Sequence, residues 1–207
     1  KKIINKSYLK NEIKSKYTVD ENFDTTSPKS LYGLTKLSSE DLIKEFSFMY
    51  NIKYIINRFG VISGPWQFGK QDQGFFSLWI WKHYNKKILS YIGFGGNGNQ
   101  VRDVLHIDDA CNLILKQITQ IKTKHNNTFN VGGGIKNAVS LKKLTMKCEE
   151  KIKNKIKFKK IKKTSIYDVP YYVTNNSKVS KNYNWKPKYD LDKIINDILS
   201  WIEINNK

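Results

Sequence analysis

Ser27-Pro28-Lys29-Ser30-Leu31-Tyr32-Gly33-Leu34-Thr35-Lys36, followed beyond Tyr50 by Ile52-Lys53-Tyr54-Ile55-Ile56-Asn57-Arg58-Phe59, is the stretch from which a fold can be read. Ser27-Pro28 has the form of a helix N-cap with proline in the first turn. Leu31, Leu34, Leu37, Leu42, Phe46 and Met49 then recur at spacings that keep one apolar stripe, which predicts a helix to about Tyr50. Ile52 to Phe59 is a compact run of β-branched and aromatic residues, and predicts a buried strand.

The same alternation continues outward from this unit. Ile3 to Tyr8 forms a short candidate strand, and residues 60–74 form a loop rich in Gly and Gln. A helix from Gln73 to about Lys87, strands at Leu89–Ile92 and Val101–Leu105, and a helix from Ile107 to Ile121 follow. Further on come a strand at Phe129–Val131, a helix from Ser140 to about Lys151, a strand at Ile156–Lys159 and a closing helix from Leu191 to Ile204. Helix alternating with strand predicts an α/β fold with a parallel sheet, followed after about Gly132 by a smaller α+β portion.

The chain has 207 residues, 39% apolar and 27% charged, which fits a globular protein and excludes disordered and collagen-like classes. Its net charge is +19, yet Arg occurs only at Arg58 and Arg102, so 35 of the 37 basic residues are Lys. The 11 lysines between Lys142 and Lys163 alternate with Ile156 and Phe158 as one solvated face, without interleaved stacking aromatics, so no nucleic-acid partner is expected. Cys111 and Cys148 have no paired spacing, so neither disulfides nor a metal site are expected. No apolar run reaches membrane-spanning length, and the N-terminus lacks a signal core; a cytoplasmic protein without a membrane partner is the expectation.

Two motifs bear on chemistry. Gly93-Phe94-Gly95-Gly96-Asn97-Gly98 matches a pyrophosphate-binding string, but the strand-like Gln100 to Leu105 follows where a helix N-terminus is needed, so it reads as a turn. Tyr32 and Lys36, four residues apart on one helix, share a face. An ammonium beside a phenol favours the phenolate, and a tyrosine so placed can take the proton of a sugar hydroxyl. His106 and Asp109 read instead as order at a helix entry, and Trp66, Trp79 and Trp81 as core or interface residues.

Five motifs in order carry a resemblance: Ser30 to Lys36; Asn57-Arg58-Phe59-Gly60-Val61-Ile62-Ser63-Gly64-Pro65; Gln67 to Gly74; Gln100 to Asp109; and Trp185-Lys186-Pro187. Together they resemble the NAD-dependent sugar-nucleotide epimerase/dehydratases, extended short-chain dehydrogenase/reductases, and the loop from Gln67 to Gly74 looks most like that of CDP-paratose 2-epimerases. The resemblance implies the C-terminal part of a Rossmann-like parallel sheet with helices over 1–131, with substrate-binding segments interleaved at 61–105. It implies a small α+β substrate-binding domain over 132–207. It also implies NAD as cofactor, a nucleotide-sugar substrate, and epimerisation through transient oxidation and re-reduction. Tyr32 would be the general acid and base, with Lys36 binding the nicotinamide ribose. Gly60 and Val61 would border the nicotinamide, Arg102 would hold the diphosphate, and Gln67, Asp72 and Gln73 would line the sugar or base pocket.

The chain departs from the family at four places. Ile4 stands where a hydroxyl residue normally meets the reacting sugar oxygen, Ser165 stands near a usual second arginine with Lys162 or Lys163 as substitutes, and Asn175 stands where Asp is common. The family's glycine-rich phosphate loop lies far upstream of the tyrosine helix, which implies a fragment inactive by itself. Asn5 and Lys6 replace the acids of a 4,6-dehydratase. A UDP-sugar 4-epimerase remains one alternative; a non-catalytic remnant that binds nucleotide sugars or pairs into a homodimer through its helices remains another.

Overall fold

Ser30, not Ser27, opens the first helix. Its hydroxyl accepts the Gly33 amide at 3.1 Å, whereas the Ser27 hydroxyl donates to Asp24 in the preceding turn. The computed structural model describes residues 17–70 and 73–205. The candidate strand at Ile3–Tyr8, the departure at Ile4, and Asp72 lie outside the described residues.

In chain order the elements are α1 (Leu31–Tyr50), β1 (Ile55–Phe59), β2 (Val61–Ser63), α2 (Phe75–Tyr84), β3 (Leu89–Ile92), β4 (Val101–His106) and α3 (Ile107–Gln120). After them come β5 (Asn127–Val131), β6 (Ala138–Ser140), α4 (Leu141–Ile152), β7 (Phe158–Ile161), β8 (Tyr171–Tyr172), α5 (Ser177–Tyr183) and α6 (Leu191–Asn205). The α/β alternation is as the sequence predicts, with β2, β6, β8 and α5 added. These four are two to seven residues long, too short for a periodic pattern to show.

Parallel pairing dominates. β1 runs parallel to β5, with Ile55 opposite Asn127 and Phe59 opposite Val131; β2 runs parallel to β4, and β3 to β7. β4 is the hub, since it also pairs antiparallel with β6 and parallel with β8. The loop that returns from β5 to β6 presses onto β4 so closely that a Cβ on Gly133 would run into the Val104 carbonyl, which explains the glycine there.

The apolar residues form two cores. Ile80, Leu89, Val104, Leu144, Ile194 and Ile198 lie in one, where α2, α4 and α6 pack over β3 and β4. Leu113, Phe129, Val131, Val179 and Trp185 lie in the other, between α3, α5 and β5. Thus α5 and Trp185, late in the chain, pack with the sheet of the first part.

The helix α1 behaves differently from its sequence stripe. Leu31, Leu42, Phe46 and Met49 are more than half exposed, and the buried positions of α1 are Glu40 and Ser47. Glu40 receives a two-pronged contact from Arg58 on β1, Nε to Oε1 at 2.7 Å and Nη2 to Oε2 at 2.6 Å. This ion pair, rather than the apolar stripe, joins α1 to the sheet.

Candidate active site

The face of α1 that carries Tyr32 and Lys36 points to solvent. The phenol is 71% exposed, and the Lys36 Nζ stands 5.2 Å from the centre of its ring. Among the described residues neither the phenol hydroxyl nor the ammonium has a hydrogen-bond partner, so both are free to meet a ligand. The four-residue spacing therefore gives the shared face the sequence predicts.

Arg102 lies elsewhere, in a cleft of about 620 Å³ between α2, β3, β4 and the segment from Ser165 to Asp168. Its guanidinium donates through Nη2 to Asp168 Oδ1 at 2.7 Å and through Nη1 to its own strand at the Val101 carbonyl, also at 2.7 Å. Burial holds this guanidinium below its usual range, and Asp168 opposes that shift. The cleft also takes in Lys82, Ser90, Gln100 and Ser165. Lys82 is a second cation that the sequence reading missed, although Phe75, Leu78, Trp79 and Lys82 follow the three- and four-residue helical spacing that would have found it. Ser165 is in the wall as the resemblance implies; Lys162 and Lys163 are not among the lining residues.

Among the described residues, those expected around the ligand are not gathered about the Arg102 cleft. The Arg102 cleft includes neither Tyr32 and Lys36 nor Gly60, Val61, Gln67 and Gln73. Gly60 and Val61 sit where β1 passes into β2; the Gly60 amide donates to the Val131 carbonyl at 2.8 Å, and Val61 stands opposite Val104. Beside them Asp103 is buried, which pushes its carboxyl up, against the opposing donation from the Gly134 amide at 2.8 Å.

Gln67 is used within the protein. Its Oε1 accepts from Ser63 and Ser77 hydroxyls at 2.9 and 2.7 Å, and its Nε2 donates to the Ile62 carbonyl at 3.0 Å, which fixes the loop after β2 to α2. Gln73 is exposed, and its carbonyl accepts the Lys70 amide; the next two residues, Gly74 and Phe75, are the ones that reach the cleft. The glycine string from Gly93 to Gly98 is a turn with a short 3-10 segment leading into β4, as its sequence context predicts.

Other polar groups are structural. His106 caps α3 by accepting the Asp108 amide at 3.0 Å and meets Asp197 of α6, while Asp109 accepts the Lys188 and Tyr189 amides. Trp79 is in the core, Trp81 is 39% exposed and Trp66 is 70% exposed, packing on Trp201. Cys148 is buried, with its thiol pushed up to about 12 by burial, and Cys111 is exposed. Among the described residues no His, Cys, Asp or Glu group is placed to hold a metal, and no helix is long and apolar enough to cross a membrane.

The chain is similar to known proteins over most of its length. A Methanocaldococcus jannaschii protein provisionally named UDP-glucose 4-epimerase is 31% identical over 194 residues, covering 91% of this chain and 58% of that protein. CDP-paratose 2-epimerase of Salmonella typhi is 26% identical over 202 residues, covering 94% of this chain and 60% of that enzyme. The chain thus spans somewhat under two thirds of the length of these relatives. The structure of Bacillus cereus UDP-glucuronic acid 4-epimerase, solved with UDP-glucuronic acid and NAD, superposes with a TM-score of 0.78 at 23% identity, over 91% of this chain and 57% of that one. Residues 9–132, more than half of the chain, match the model of the NAD dependent epimerase/dehydratase family, and the chain belongs to that family.

Proposed function

We propose that this chain carries the proton-transferring tyrosine and the nucleotide-sugar cleft of an NAD-dependent sugar-nucleotide epimerase of the CDP-paratose 2-epimerase type. The observation that carries the reading is the pairing of an exposed phenol with an ammonium 5.2 Å from its ring centre, on a helix of a chain of this family. Lys36 and Tyr32 fit the nicotinamide-ribose end of NAD, because among the described residues neither polar head has a hydrogen-bond partner. The turn at residues 93–98 does not fit the pyrophosphate, because a strand and not a helix follows it. NAD⁺, when bound, supplies the hydride acceptor that oxidises a sugar carbon and later returns the hydride.

Tyr32 takes the proton of the sugar hydroxyl as its carbon is oxidised, and gives it back when the carbonyl is reduced from the other face. Lys36 supplies a positive charge beside the ring while that proton moves. In the cleft, Arg102 exchanges the Asp168 carboxylate for the substrate diphosphate, which its planar fork suits, and Lys82 adds a second positive charge. Epimerisation of a CDP-sugar is supported by the loop from Gln67 to Gly74 and by the likeness to the Salmonella enzyme. A UDP-sugar 4-epimerase is the second reading, supported by the 31% identity to the Methanocaldococcus protein.

Assay with NAD⁺ and CDP-paratose, in parallel with UDP-glucose, of this chain joined to the upstream half that carries the family's glycine-rich phosphate loop separates these readings. Epimerisation of CDP-paratose that Tyr32→Phe lowers by about 10²–10⁴-fold is the expected result. Preference for UDP-glucose moves the assignment to the 4-epimerase. Nucleotide-sugar binding that Arg102→Leu weakens, without turnover of either sugar, identifies a binding remnant; a fully active Phe variant removes Tyr32 from the mechanism.

A further inference from the structure

The β4–β6 layer has a second concave side. β4 turns Arg102 into the cleft and Asp103 the other way, toward the Gly134 amide, as successive residues of a strand must. On that second side a recess of about 550 Å³ opens between the turn Gly133–Asn137, the segment Thr174–Ser180 and the segment Lys186–Asp190. Lys136, Lys186 and Lys188 line it, and among the described residues none of their ammonium groups is within ion-pair distance of a carboxylate. Asp190 is the acidic residue in the wall, and its Oδ1 is engaged with the Lys193 amide at the start of α6. Three unpaired cations on one concave wall concentrate anions.

Asn137 adds a second, independent mark. It is 2% exposed and lies in the same wall, and its Nδ2 donates to the Tyr189 carbonyl at 2.8 Å. A carbonyl can only accept, so the amide orientation is fixed and Oδ1 is left over; among the described residues it has no partner. The recess therefore offers positive charge for an anion, and its wall holds, buried at Asn137, an acceptor in want of a donor. A phosphate monoester alone satisfies the first, and a hydroxyl close to the phosphate satisfies the second.

We propose that this recess binds a phosphorylated sugar, at a site on the opposite side of β4 and β6 from the Arg102 cleft. The proposal stands whether or not the chain turns over a nucleotide sugar. Calorimetric titration of the full 207-residue chain with glucose 6-phosphate tests it. The combined variant Lys136→Gln, Lys186→Gln, Lys188→Gln changes three exposed residues, and thermal melting checks that it folds. Binding is expected to weaken about tenfold or more in this variant and to persist in Arg102→Leu. Absence of binding at millimolar glucose 6-phosphate, equal binding by the lysine variant, or loss in Arg102→Leu overturns the proposal. Inorganic phosphate binding as tightly as glucose 6-phosphate rejects the Asn137 contact, and with it the sugar phosphate as ligand.

Discussion

His83 shows how a single residue can carry a pH dependence that no motif announces. Its ring is fully buried on α2; Nδ1 donates to the Trp79 carbonyl at 2.6 Å, and among the described residues Nε2 has no partner. Burial lowers its pKa from the usual 6.5, the Trp79 carbonyl and Glu149 opposing this. Because the folded value lies below the unfolded one, the stability linked to the neutral ring is complete above 6.5 and is lost as pH falls through the folded value. Denaturant unfolding from pH 8 to pH 5 is therefore expected to weaken more steeply for the natural protein than for His83→Gln; parallel slopes would remove His83 as the cause. His106 stands in a motif that the sequence shows, whereas the setting of His83 is created only by the packing of α2 against Phe158 and the core.

Among the elements, α1 matters most to the proposed function, and its seat on the sheet is narrow. The Arg58 fork on Glu40 spans two charge-assisted hydrogen bonds, each partner largely shielded. Glu40→Gln removes the carboxylate and leaves Arg58 half-satisfied, at an expected cost of about 1.5–3 kcal/mol. Hydrogen exchange should show it locally: amides of α1 lose protection while β4 and α6 keep theirs. Uniform loss across all elements would mean that α1 is not separately anchored. The helix was legible from its period, and its length to Tyr50 is as read, but its partner was not. Glu40 and Arg58 are eighteen positions apart, and nothing in either local pattern pairs them. The cap was misplaced for a related reason: Ser27 and Ser30 both precede an apolar run, and only the backbone course after Asp24 decides which hydroxyl meets an amide.

For the molecule as a whole, the contrast lies between two closed cores and one bare helix. Phe48 is 87% exposed and Met49 66% at the end of α1, and Leu31 is 82% exposed at its start, so this helix presents large apolar side chains to water at both ends. Phe48→Lys combined with Met49→Lys is expected to reduce binding of a hydrophobic dye and concentration-dependent association, with no loss of melting temperature, since neither side chain is buried. A lowered melting temperature would show that these residues pack within the fold.

What the sequence determined by itself was what local period and spacing can encode. The alternation of helix and strand, the turn at residues 93–98 and the common face of Tyr32 and Lys36 all follow from the positions of residues a few places apart. Tertiary structure alone decided how distant segments spend their polar groups. Gln67 was read as ligand-lining, yet it holds Ser63, Ser77 and the Ile62 carbonyl together, and Arg102 finds Asp168 across sixty-six residues. A polar side chain read along the chain has the same donors and acceptors whether it faces a ligand or its own backbone. Only the folded arrangement sets what stands within 3 Å of it.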